Sequence, residues 1–204
     1  MRFSFRAGVL LAIFGILSLA ISCSRGSRDE AFPVEGTIAA FTLTDANGQP
    51  FGTGQLEGRV WIADFFFTNC PGPCPRMSTL MSEIQRETAD IGELRIVSIT
   101  VDPERDTPEA MKAYGQRYGA IDGRWHFLTG PRETLNRIAR QDFKLFDVDG
   151  SLQHSTRFAL VDRQGNIRKF YTTGEGGTYT ELPGDIRKLI AQSEAGGKSP
   201  AAAN

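Results

Sequence analysis

A chain of 204 residues sets 23 Lys and Arg against 24 Asp and Glu, a formal net charge of −1, with 40% hydrophobic residues. That length and apolar share suit one ordinary domain with terminal extras, and the lack of a basic surplus argues against nucleic acid as a partner. With only three cysteines and two histidines, soft-metal or thiol chemistry has few side chains to draw on.

The amino end speaks to compartment. Arg2 and Arg6 precede a charge-free apolar run from Ala7 to Cys23, roughly 25 Å long as a helix and at the short limit for a bilayer. Residues 1–23 therefore read as a secretory signal peptide or as an uncleaved anchor with its basic end inside. Leu19-Ala20-Ile21-Ser22-Cys23 also looks like a lipoprotein cleavage box, which would lipidate Cys23. Either way the globular part is expected outside the cytoplasm, facing the periplasm or extracytoplasmic space. Residues 24–36, rich in Ser, Gly, Arg and acids, read as a tether. Residues 194–204 read as a disordered tail, leaving 37–193 for the domain.

Within it, Phe41–Thr44 alternates apolar and polar before the turn residues Ala46–Gln49, so a hairpin opens the domain. Val60–Phe67 (VWIADFFF) is nearly all apolar, as in a strand buried on both faces. A helix is predicted from about Pro75 to Ala89, with Met77, Leu80, Met81 and Ile84 on one face. Leu94–Val101 is a second buried strand. Asp106-Thr107-Pro108-Glu109 starts a helix with a cap, an early proline and an acid, running to about Tyr118. Trp125–Leu128 forms a short strand and Pro131–Gln141 a further helix. Thr156–Val161 and Ile167–Tyr171 flank a glycine-containing turn as a hairpin, and Leu182–Gln192 closes the chain as a helix. The order implies an α/β domain with a thioredoxin-like layout: a mixed sheet with a parallel centre, helices on both faces, and hairpins at each end. The layout alone assigns no function.

Chemistry concentrates in Phe67-Thr68-Asn69-Cys70-Pro71-Gly72-Pro73-Cys74-Pro75, between the end of a buried strand and a helix start, where open α/β sheets place their sites. Two thiols four positions apart can face the same way once the first turn forms, and the prolines fit a turn and a first helical turn. The helix amino end favours negative charge, so one or both thiols are expected to ionise more readily than a free cysteine. The pair is open to three readings: a structural disulfide, dithiol redox catalysis, or a soft-metal site. The five-residue loop constrains little chain entropy, which weakens the first. The common redox signature has two intervening residues rather than three. A metal site needs a further ligand, and His154, in polar sequence just ahead of the strand Arg157–Val161, is the candidate. His126 lies between aromatics in a strand and reads as packing or surface. A peroxidase of related fold would place threonine three residues before the reactive cysteine, whereas Thr68 is two before Cys70.

Three segments taken together resemble the Sco/SenC family of copper proteins that serve cytochrome oxidase assembly. They are Cys70–Pro75 after an aromatic strand, Val101-Asp102-Pro103-Glu104-Arg105-Asp106-Thr107-Pro108-Glu109, and His154-Ser155-Thr156 leading to Val161-Asp162; Trp125–Gly130 adds agreement. The resemblance covers about Phe41 to Leu189. It implies that Cys70, Cys74 and His154 converge on one copper ion, held as Cu(I) or Cu(II), for which two thiolates and an imidazole are a suitable soft set. It implies a metallochaperone that delivers copper to, or helps mature, the dinuclear copper centre of cytochrome c oxidase. The partners would be the copper-receiving oxidase subunit, a copper donor or thiol reductant, and the membrane through the amino end. The alternative is a thiol–disulfide reductase in which Cys70 and Cys74 are the redox-active pair, so enzyme activity stays an open question. Two departures stand out: Gly72 and Pro73 replace the acidic and aliphatic residues common between the cysteines. Asp147 and Asp149 both fit the aspartate often found near the histidine.

Overall fold

The computed structural model describes residues 32–145, 156–174 and 177–196, all within the compact unit Ala31–Asn204. The expected signal or anchor segment and most of the terminal tail lie outside the described residues.

The strands in chain order are β1 (Gly36–Thr37), β2 (Thr42–Asp45), β3 (Pro50–Gly52), β4 (Trp61–Phe66), β5 (Arg95–Thr100), β6 (Trp125–Thr129), β7 (Arg157–Val161) and β8 (Asn166–Thr172). The helices are α1 (Thr53–Leu56), α2 (Cys74–Glu87), α3 (Pro108–Arg117), α4 (Arg132–Arg137) and α5 (Leu182–Gly196). The strands form one eight-stranded sheet in the order β1-β8-β7-β4-β5-β6-β2-β3. Its centre, β4-β5-β6, is parallel and is joined through α2 and α3, while β7, β8, β1, β2 and β3 add antiparallel pairs. This is the mixed α/β sheet that the alternation of elements led us to expect.

β4 explains why the centre is apolar: every one of its positions is buried. Successive side chains of a strand point to opposite faces, and the aromatics show what covers each. Phe66 meets Tyr114 of α3 at 5.1 Å and Phe127 of β6 at 5.3 Å between ring centroids. Trp61 and Phe65 point the other way, to Phe143 at 6.4 and 5.3 Å. On α2 the buried residues include Met77, Leu80, Met81 and Ile84, the apolar stripe expected at helical spacing. The opening hairpin closes tightly on glycine: a Cβ on Gly52 would stand 2.0 Å from the Phe41 carbonyl oxygen.

Three local features depart from the sequence reading. The fourth helix ends early at Arg137 and passes into a π-helical turn, Ile138–Asp142. The bond from Phe143 N to Ile138 O spans five residues at 3.0 Å and carries the Phe143 ring into the core. The stretch expected to be a free tether is docked from Phe32 onward. Arg168 donates to the Phe32 carbonyl, Lys188 lies over the Phe32 ring at 5.3 Å, and Glu35 N donates to Ile167 O at 2.8 Å. At the carboxyl end α5 extends to Gly196, a few residues past the predicted limit. Among the described residues, no helix is long and apolar enough to cross a membrane.

Candidate metal centre

β4 runs buried to Phe66, Phe67 is still in the core, and the chain then breaks to the surface at Asn69. Pro71, Gly72 and Pro73 are exposed, and Pro73 caps α2 with φ −77° and ψ −20°, its carbonyl accepting from Met77 N at 3.0 Å. Cys74 and Pro75 are the first two residues of α2, where a missing proline N–H costs no intrahelical bond. The turn thus brings Cys70, half-buried, up to Cys74, fully buried, and both are free thiols.

Cys74 does not share the acidity expected of one or both thiols. Its thiol is pushed far up, first by burial and next by a hydrogen bond with Cys70; a backbone hydrogen bond from Phe67 opposes this, and the Cys70 and Asp64 charges add to it. The helix amino end does favour a thiolate, but full desolvation outweighs half a unit of dipole charge. Burial thus favours the protonated form of Cys74, which is hydrogen-bonded to the more accessible Cys70.

The floor of the site is polar in a way the composition of β4 hides. Asp64 is 1% exposed. Trp125 Nε1 donates to Ser98 Oγ at 2.9 Å, which directs the Ser98 hydroxyl proton to Asp64 Oδ1 at 2.5 Å. Burial raises the Asp64 carboxyl to about 7, with the Ser98 hydrogen bond opposing. Beside it, Ser78 of α2 and Tyr114 of α3 share a buried hydroxyl contact at 2.8 Å. The first turn residue, Thr68, is fastened from the β5–α3 loop: its N–H and its hydroxyl both donate to the Asp106 carboxylate.

Of the residues singled out by sequence, Cys70 and Cys74 meet as expected. His154, Asp147, Asp149 and Cys23 lie outside the described residues. Among the described residues, no group of three or more Cys, His, Asp and Glu side chains could hold a metal ion, so the dithiol there is two donors. His126 sits on β6, half-buried and stacked on Phe51 at 4.1 Å, with burial lowering its basicity; it is a packing residue. The sequence reading passed over Asp64, although one acid within eight otherwise apolar residues was the available signal. The cap expected within Asp106-Thr107-Pro108-Glu109 is Thr107, whose hydroxyl accepts from Ala110 N at 3.2 Å, so Asp106 is not needed for it.

The SCO1/SenC family model matches residues 31–191. A putative copper-binding protein of Stutzerimonas stutzeri is 35% identical over 175 residues, covering 75% of this chain and 83% of that protein. Among solved structures, a SCO1/SenC family lipoprotein from Bacillus anthracis aligns with TM-score 0.72 and 34% identity, over 78% of this chain and 97% of that one. BsSco, a member of the Sco family of cytochrome c oxidase assembly proteins in which a disulfide switch has been identified, aligns with TM-score 0.69 and 30% identity over 78% and 96%.

Proposed function

The chain belongs to the SCO1/SenC family, and from that premise we propose that its Cys70–Cys74 turn carries one copper ion to the dinuclear copper centre of cytochrome c oxidase. As a family member it is a copper-binding protein of oxidase assembly. The observation that carries the reading is the pair itself: two free thiols in hydrogen-bond contact at the mouth of a parallel sheet. Two sulfur donors in so small a turn fit a soft ion, and binding would replace the thiol protons.

His154 is the third ligand in this reading. β7 pairs antiparallel with β4, Ala63 facing Ala159 and Trp61 facing Val161. The chain therefore enters β7 at the end of the sheet where β4 delivers the cysteine turn. Residue 154 precedes the start of β7 by three positions, which supports its imidazole as the donor completing the set. One accessible and one buried thiol suit stepwise transfer, Cys70 exchanging first with an incoming cysteine of the oxidase subunit. An amino-terminal anchor or a lipid on Cys23 would hold the domain at the outer membrane face, and the lipoprotein relative supports that arrangement.

A second reading, thiol–disulfide reductase, is favoured by the Cys70–Cys74 contact and by the disulfide switch of BsSco. The Cys70 thiolate would attack an acceptor disulfide, releasing one acceptor thiol. Cys74 would then displace the second, leaving the pair oxidised and the acceptor reduced by two electrons.

Copper titration of the full-length protein followed by absorption spectroscopy tests the carrier reading. The expected result is one copper per chain with a thiolate charge-transfer band. That band is lost in Cys70→Ser and Cys74→Ser, and the affinity is lowered in His154→Ala. Tight one-to-one binding unchanged in His154→Ala would overturn the three-ligand site. Reduction of an oxidised oxidase peptide without copper, equally fast in His154→Ala, would favour the reductase.

A further inference from the structure

The segment Val101–Glu109 is not accounted for by helix initiation. Thr107 provides the α3 cap, yet the residue before it is a carboxylate at 1% exposure. Burying a carboxylate is costly unless hydrogen bonds satisfy it. The donors found for Asp106 do not belong to α3. Thr68 N–H donates to Oδ1 and Oδ2 at 3.1 and 3.2 Å, the Thr68 hydroxyl donates to Oδ1 at 2.5 Å, and the Thr100 hydroxyl donates to Oδ2. Thr100 Oγ1 in turn accepts from Asp102 N at 2.9 Å, so its proton is free for Asp106.

The position of these bonds matters more than their number. The β4–β5 ladder ends with Phe66 opposite Thr100, and one further bond runs from Val101 N to Phe66 O at 2.9 Å. Beyond that rung the two chains part, one into the cysteine turn and the other into the β5–α3 loop. Asp106 bridges the gap two residues before Cys70. Cys74 is fixed by α2, whereas Cys70, half-buried against the core, lies between exposed Asn69 and exposed Pro71, Gly72 and Pro73. Its amino-terminal tie is Thr68.

We propose that Asp106 is a positioning residue for the dithiol site: by holding Thr68 it fixes the turn that carries Cys70, and so sets how readily the two sulfurs act together. Freed of this tie, the Cys70 sulfur spends less time near Cys74, and intramolecular bond formation weakens as effective concentration falls. The inference rests on the proposed role of the pair only where copper is read out; its thiol arm stands without copper.

The test uses full-length Asp106→Asn, Asp106→Glu and Thr68→Val, with Asp162→Asn as control. Asp162 accepts from Gln164 N, Asn166 N, Asn166 Nδ2 and Arg168 Nη1 in the β7–β8 turn, so its loss destabilises the fold away from the cysteines. Each protein is equilibrated with glutathione buffers to obtain the dithiol–disulfide constant, and unfolded in urea to obtain stability. Asp106→Asn should shift the constant about tenfold toward the dithiol, the worth of one strong hydrogen bond. Thr68→Val, which keeps the backbone donor, should shift it about threefold, and Asp106→Glu should restore part of the loss. Asp162→Asn should lose stability with its constant unmoved. Constants that stay within about twofold in Asp106→Asn and Thr68→Val, or that move equally in Asp162→Asn, would overturn the proposal. Should Asp106→Asn fail to fold, the Thr68→Val and Asp162→Asn pair still decides it. A wild-type protein that takes up no copper sinks the carrier reading alone. A copper band unchanged by Asp106→Asn while the constant also stays put sinks the positioning role alone.

Discussion

Asp64 is a carboxyl that the fold keeps out of water beneath two thiols, and its pKa makes a signed prediction. Its folded value, about 7, stands above the ordinary 3.8 because burial disfavours the ion. Between those values the folded chain binds the proton and the unfolded chain does not. The stabilisation is complete below the unfolded pKa and is lost as pH rises through the folded one. Asp64→Asn keeps the acceptor for the Ser98 hydroxyl and cannot ionise. Relative to the wild type it should gain stability between about pH 4 and pH 8, by up to about 4 kcal/mol. Urea unfolding of both proteins at the two ends of that range checks it; parallel pH profiles would show that Asp64 titrates in the folded chain as it does in the unfolded one, water reaching it. At this scale the sequence was readable where chemistry depends on near neighbours. Cys70 and Cys74 were recognisable because their spacing and the three prolines together define the turn. Asp64 and Asp106 were not, because their meaning lies in Ser98 and Thr68, 34 and 38 positions away.

α2 holds Cys74 at its first residue, and its other end is held by a neighbouring segment. Arg124, at the start of β6 and buried, donates from Nη2 to Thr88 O at 2.6 Å and Thr88 Oγ1 at 3.0 Å, and from Nη1 to Ile91 O at 2.7 Å. These carbonyls belong to the cap and the turn that follow α2, and the positive charge suits the helix dipole there. Arg124→Met keeps an apolar stem but removes the charged donor, leaving Thr88 O and Ile91 O with only Ile91 N at 2.9 Å and Leu94 N at 3.4 Å. It should lower stability by about 2–4 kcal/mol, measured as a drop in urea midpoint at constant slope. Hydrogen exchange should quicken first at Thr88 and Ile91 rather than at the cysteine turn. Long elements with one clear period, such as β4, β5 and α2, were legible within a residue or two. β1 and α1, of two and four residues, are too short to carry a period and exist through their partners in the sheet. The π turn was invisible because Leu135, Ile138 and Ala139 fit an α-helix equally well; the choice is made by Phe143 fitting between Trp61 and Phe65.

The proposed ligands join segments that only the whole fold brings together. Cys70 and Cys74 remain neighbours in the unfolded chain, so the dithiol can bind a soft ion before and after unfolding. His154 is eighty positions beyond Cys74, and it can contribute only where β7 is paired with β4. Ligands that bind native and unfolded chains alike do not stabilise; the selective part does. With free copper at a hundredfold its dissociation constant, a site specific to the native state adds about 2.7 kcal/mol. For a domain of this size that raises Tm by roughly 5–10 °C. Calorimetry on the reduced full-length protein should show that rise, and Cys70→Ser should abolish it. His154→Ala should lose more than half of it even where residual copper still binds the two sulfurs, because the binding that remains is the part the unfolded chain shares. An equal rise in wild type and His154→Ala would mean that the selective donor lies elsewhere in the domain, and the antiparallel pairing of β7 with β4 would then have no part in holding the metal.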